Sequence, residues 1–113
     1  MIVDDAVPIR AALRDALADH GGFEVVGEAG EGRSALELLG RLKPDLVVLD
    51  LAMPGLDGLE TLPLVREASP KTKICVLTLA GRSMQAESME RGAHLYFSKA
   101  EPLEIVVMAL AGL

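Results

Sequence analysis

The stretch PDLVVLDLAMPGLDGLE, residues 44–60, decides the fold. At its centre is Leu46-Val47-Val48-Leu49, an unbroken apolar run with Pro44-Asp45 before it and Asp50 behind it. A strand without polar alternation must be buried on both faces, as in a parallel sheet covered by helices on either side. Pro54-Gly55 then marks a turn. Beyond it Leu59, Leu62 and Val65 recur at the spacing that puts them on one helical face. The local unit is strand, loop, helix.

The same unit repeats outward from this centre. Apolar runs at Ile2-Val3, Phe23 to Val26, Ile74 to Leu79 and Leu95 to Phe97 predict four more strands. Between them, Ile9, Leu13, Ala16 and Leu17 share one helical face, as do Leu36 and Leu39. Residues 82–91 predict a weaker helix carrying Met84, Ala86 and Met89, and Pro102 to Leu110 predict the last one. Gly21-Gly22, Pro70, Gly81 and Gly92 punctuate the elements. Five strands and five helices therefore alternate, with no internal repeat and no linker. Right-handed crossovers turn that alternation into an α/β three-layer sandwich. For five strands the candidate is the flavodoxin-like (βα)5 arrangement, a parallel sheet in order 2-1-3-4-5.

Composition narrows the class. The chain has 113 residues, 50% apolar and 25% charged, which suits one ordered domain and no second folded unit. Its single cysteine, Cys75, excludes an intramolecular disulfide and suggests a reducing compartment. A formal net charge of −6 argues against direct nucleic-acid binding. No apolar run approaches the roughly 18 residues of a membrane span. Met1 to Asp5 lacks the basic and apolar regions of a signal peptide. The expectation is a cytoplasmic protein away from membranes. Only three residues precede Asp4, which is short for a central strand and leaves a truncated or mis-started N-terminus open.

In such sheets ligands bind beyond the C-terminal ends of the strands. Strand one ends in Asp4-Asp5, strand three in Asp50, strand four in Thr78 and strand five in Ser98-Lys99. Strand two ends in Gly27-Glu28, which carries nothing distinctive. Singly, each residue reads as a cap, a turn, a strand residue or a solvated lysine. Jointly, sites distant in sequence converge on one sheet edge. Two carboxylates about 5 Å apart repel by about 3 kcal/mol at an effective dielectric near 20, so three of them require a cation. An oxygen-only donor set suits Mg²⁺. A metal beside a carboxylate, with an amine and a hydroxyl opposite, suits phosphoryl transfer onto the carboxylate. His20 and His94 lie away from the strand ends.

At these residues the sequence resembles the receiver domain of two-component response regulators, the CheY-like superfamily. The resemblance rests on IVDD at 2–5, the 44–60 string, VLTLAG at 76–81 and GAHLYFSKAEP at 92–102. VVGEAGEG and YFSKAEPLE are most similar to NarL/FixJ-type receivers, which usually precede a DNA-binding helix-turn-helix domain. The resemblance implies that Asp50 is the phosphoacceptor, charged by a histidine kinase. It implies that Asp4, Asp5, Asp50 and the Ala52 backbone carbonyl hold Mg²⁺, with Asp5 the direct ligand of the acidic pair. Thr78 would be the switch hydroxyl, Lys99 the phosphate-pairing lysine and Tyr96 the rotating aromatic. Such a domain accepts a phosphoryl group and is no turnover enzyme. Its fourth and fifth helices and fifth strand would control a partner or a DNA-binding output domain in a longer parent chain. Residues 1–113 are expected to be the receiver alone, either a single-domain regulator or a receiver from a longer chain. Two departures stand out. Ala100 replaces the proline that many receivers carry, so no cis bond is expected at Lys99-Ala100. Leu79 replaces a small residue and would either crowd the site or point away.

Rival readings are weaker. GEAGEG at 27–32 does not match G-x-G-x-x-G, and its glutamates repel phosphate. A flavin binder would need a hydroxyl- and glycine-rich loop where Asp4-Asp5 stands. A haloacid-dehalogenase-type phosphatase would usually carry a second aspartate where Ala52 stands. The remaining alternative is a pseudo-receiver, a phosphorylation-independent interaction module. Finally, Leu103, Val106, Val107 and Leu110 form the inner stripe of the last helix. Ile105, Met108 and Ala109 are then left outside with Glu104 as the sole charge. Such a patch suggests self-association, with helix one (Ala11, Ala18, Arg10, Arg14) beside it.

Overall fold

The computed structural model describes residues 1–53 and 57–113, and the Pro54-Gly55 turn lies outside the described residues. Strands and helices alternate through the chain: β1 (Ile2–Val3), α1 (Val7–His20), β2 (Glu28–Ala29), α2 (Gly32–Leu42), β3 (Leu46–Leu49), α3 (Gly58–Ala68), β4 (Lys73–Thr78), α4 (Gln85–Glu90), β5 (Leu95–Ser98) and α5 (Leu103–Ala111). All strand pairs are parallel, in order β2-β1-β3-β4-β5. This is the flavodoxin-like sandwich expected from the alternation.

β3 is the middle strand, and its apolar run serves two cores. Val47 and Leu49 pack with Ala35, Leu39, Leu62 and Val65 on the α2–α3 side. Val48 packs with Leu13, Leu17, Val106 and Val107 on the α1–α5 side. The period of two along the strand thus sends alternate side chains into opposite layers. α3 starts at Asp57, whose carboxylate accepts the N–H groups of Leu59 at 3.0 Å and Glu60 at 3.3 Å, satisfying two of the free amides at a helix start.

Several details differ from the sequence expectation. Phe23 to Val26 is not β2; the strand is Glu28–Ala29. Ile2 pairs with Glu28, so in this register residues 23–26 run past Met1 and have no β1 partner. Phe23 and Val25 still pack against the α1–α5 core, which explains their apolar character. β4 ends at Thr78, leaving Leu79 outside and 76% exposed. α4 covers Gln85–Glu90 rather than 82–91, because Ser83 precedes it in a turn and donates to the Ala80 carbonyl at 2.9 Å. α5 buries Val106, Val107 and Leu110 and exposes Ile105 and Met108, as expected. Ala109 is half-buried instead of outward. At 3.6 residues per turn it falls about 60° from Val106, on the flank of the inner stripe.

Candidate functional site

The site is assembled by the register of the central strands. Ile2 pairs with Val48 and Val3 with Leu49, so the next residues, Asp4 and Asp50, emerge side by side. Both are anchored by the ladder. The Asp50 N–H donates to the Val3 carbonyl at 2.9 Å, and the Asp4 N–H to the Ala29 carbonyl at 3.0 Å. Their carboxylates are buried, while Asp5 is exposed. Asp4, Asp5 and Asp50 each bring a carboxylate oxygen to within 4.8 Å of the others.

Lys99 completes the cluster from the far side of β4. Its N–H donates to the Thr78 carbonyl at 2.9 Å, which fixes its backbone at the same edge. Its ammonium reaches Asp4 Oδ2 at 2.7 Å and Asp50 Oδ2 at 3.1 Å. Burial pulls that ammonium down, but hydrogen bonds and charge from the two aspartates outweigh it and hold it above the ordinary lysine range. The second oxygens of both carboxylates are also engaged. Asp4 Oδ1 accepts the Ala6 N–H at 2.9 Å, and Asp50 Oδ1 accepts the Ala52 N–H at 3.0 Å. One ammonium therefore faces three carboxylates. That excess, and the all-oxygen donor set, fit a hard divalent cation held by Asp4, Asp5 and Asp50.

The remaining expected residues surround this centre. Thr78 ends β4 fully buried, with its hydroxyl accepting the Ala80 N–H at 3.4 Å. Leu79 points away from the sheet into solvent, so it does not crowd the site. Ala52 is exposed on the loop after Asp50. That loop is pressed against α3, because a side chain at Gly58 would collide with the Leu51 carbonyl. Tyr96 lies three residues before Lys99 but does not join the carboxylates. It is half-buried, and its hydroxyl donates to the Gly81 carbonyl in the β4–α4 loop. It lines a hollow of ≈ 150 Å³ with Arg82, Gln85, Ser98 and Glu101. The Lys99-Ala100 bond is trans, as expected from the missing proline.

One contributor was missed from sequence. Arg10 donates to the Asp4 backbone carbonyl and, at 3.1 Å, to Glu28 Oε1; Arg14 reaches Glu28 Oε2 at 2.6 Å. Glu28 in β2 thus holds a cation against the back of the acidic pair. The available signal was Arg10 and Arg14 four residues apart on α1, facing one acidic residue at the sheet edge. Outside the site, His94 Nδ1 accepts the Ile74 N–H at 3.0 Å, and burial lowers its pKa. Burial pushes the Cys75 thiol up to about 12, which leaves it inert.

Residues 1–111 match the response regulator receiver domain family. The chain belongs to this family. It is 38% identical over 111 residues to the nitrate/nitrite response regulator protein NarP of Escherichia coli, covering 97% of this chain and 52% of NarP. It is 37% identical over 111 residues to the chemotaxis protein CheY of Thermotoga maritima, covering 97% of this chain and 92% of CheY. A solved LuxR-family two-component response regulator from Aurantimonas sp. SI85-9A1 superposes with a TM-score of 0.90 at 30% identity, over 99% of this chain and 81% of that one. This receiver domain therefore spans nearly all of the Thermotoga maritima CheY and about half of NarP. Among the described residues no helix is long and apolar enough to cross a membrane.

Proposed function

We propose that this receiver takes a phosphoryl group from the phosphohistidine of a histidine kinase onto Asp50. The observation that carries the reading is the Lys99 ammonium bridging Asp4 and Asp50, with Asp5 exposed beside them. Asp50 is buried enough to exclude bulk water but sits at the strand end where a donor can approach. A carboxylate oxygen of Asp50 attacks phosphorus, the phosphorus–nitrogen bond to the kinase imidazole breaks, and that nitrogen keeps the electron pair. Mg²⁺, held by Asp5, Asp4, Asp50 and the Ala52 carbonyl, would neutralise the phosphoryl oxygens. Asp5 is the better direct ligand, since Asp4 is already engaged by Lys99 and the Ala6 N–H.

The new phosphoryl group adds about −1.5 to −2 charge. Lys99 pairs with it, and the Thr78 hydroxyl turns from Ala80 toward one of its oxygens. Tyr96 then moves from its bond to Gly81, and the α4–β5–α5 surface changes. That surface would regulate a partner or a DNA-binding output domain of a longer chain, residues 1–113 being the receiver alone. The domain accepts phosphoryl groups and slowly loses them; it turns over no metabolite. It acts in the cytoplasm.

Incubation with a small acyl phosphodonor tests this. The parent should gain one phosphoryl group by intact mass, only with Mg²⁺, and Asp50→Asn should gain none. Modification persisting in Asp50→Asn would overturn the assignment. A parent that stays unmodified would identify a phosphorylation-independent pseudo-receiver.

A further inference from the structure

Asp5, the direct Mg²⁺ ligand of the proposed phosphoacceptor site, has no backbone anchor of its own. It is exposed and forms no backbone–backbone hydrogen bond among the described residues. Its place is set by the residue before it. The Asp4 carbonyl, the Asp5 N–H and the Asp5 Cα share one rigid peptide plane. Whatever pins the Asp4 oxygen therefore fixes where the Asp5 side chain begins.

Arg10 supplies that pin. Its Nη1 donates to the Asp4 carbonyl, while its Nε donates to Glu28 Oε1 at 3.1 Å. Arg14 Nη1 holds the other Glu28 oxygen at 2.6 Å. The planar guanidinium is thus gripped at two points, which fixes its direction toward the carbonyl. Asp4 is held through its N–H by the Ala29 carbonyl and through its own carbonyl by Arg10. Gly30 closes over the arrangement. A Cβ there would stand 3.2 Å from Arg10 Nη1 and 3.8 Å from both the Asp4 oxygen and the Asp5 Cα.

Neither stability nor charge accounts for this arrangement well. The Arg10, Glu28 and Arg14 side chains are 19%, 24% and 48% exposed, and ion pairs so open to water contribute little to folding. A guanidinium beside the acidic pair also repels a metal cation instead of attracting it. What remains is geometry.

We propose that Arg10 is a positioning residue for metal binding. Through the Asp4 carbonyl it sets Asp5 for Mg²⁺, and Glu28 keeps its guanidinium off the Asp5 carboxylate. The proposal rests on Asp4 and Asp5 being metal ligands.

Calorimetric titration of Mg²⁺ into the 113-residue chain tests it, with urea unfolding without metal run in parallel. Arg10→Ala should weaken binding about tenfold, the scale on which partners of metal ligands act. Loss of a nearby positive charge alone would tighten binding, so the direction of the change separates position from charge. Arg10→Lys keeps the charge but replaces the fork with a single ammonium, and should fall between the parent and Arg10→Ala. Gly30→Ala changes no charge and presses a methyl against the guanidinium; it should weaken binding severalfold. Affinity equal to the parent's or tighter in folded Arg10→Ala, or in Gly30→Ala where Arg10→Ala does not fold, would overturn the positioning role. A parent that binds no Mg²⁺ would overturn the metal site itself, and the proposal with it.

Discussion

Asp4 and Asp5 are neighbours in sequence with opposite surroundings. Asp4 is buried, paired with Lys99 and bonded to the Ala6 amide, whereas Asp5 is exposed. Asp5→Asn should therefore weaken Mg²⁺ binding more than Asp4→Asn, while Asp4→Asn should cost more folding stability. Metal titration and urea unfolding of both variants would check this, and equal losses of Mg²⁺ affinity would contradict it. Lys99→Met leaves two buried carboxylates without their cation. Breaking such a pair costs about 3 kcal/mol or more, which urea unfolding without metal would read, and added Mg²⁺ should restore part of it. Lys99 also sets a pH dependence. Its folded pKa is raised from the ordinary 10.5, so its contribution is complete below that value and is lost as pH climbs through the higher folded one. Stability measured across the alkaline range should fall in the parent, and the fall should be shallower in Lys99→Met.

Elements were legible where side chains set them. β3 and β4 carry apolar runs buried on both faces, and the sequence pattern locates them within a residue. β2 was not legible, because its pairing is set by the backbone position of β1. Glu28-Ala29 has no apolar run, while Phe23 to Val26 is apolar for packing alone. α5 is intermediate. Its inner stripe followed from helical spacing, but Ala109 lies too near that stripe to be outward. The exposed pair is Ile105 at 50% and Met108 at 65%. We expect self-association or output-domain docking through this pair, since adjacent exposed apolar side chains on a helix with one charge favour a partner. Ile105→Glu/Met108→Glu should stay folded by circular dichroism and lower the association state in sedimentation. A parent that is monomeric at high concentration, phosphorylated or not, would contradict self-association.

At the scale of the molecule, one topological rule made most of the site readable. Residues as far apart as Asp4 and Lys99 meet because every strand of a parallel sheet ends on the same edge. The rule places side chains at an edge but does not say what supports them. Hence the rule did not single out Arg10 and Glu28, which brace Asp4 from the α1–β2 side. It likewise could not show that Tyr96 bonds the β4–α4 loop instead of joining the carboxylates. The central claim is that this edge directs a phosphoryl group to one carboxylate of three. Borohydride reduces an acyl phosphate to an alcohol, so treating the phosphodonor-modified protein and sequencing its peptides by mass spectrometry locates the acceptor. The account predicts homoserine at position 50 and unchanged aspartates at 4 and 5. Homoserine at either of those positions, or reduction at none of the three in protein shown to be phosphorylated, would contradict it.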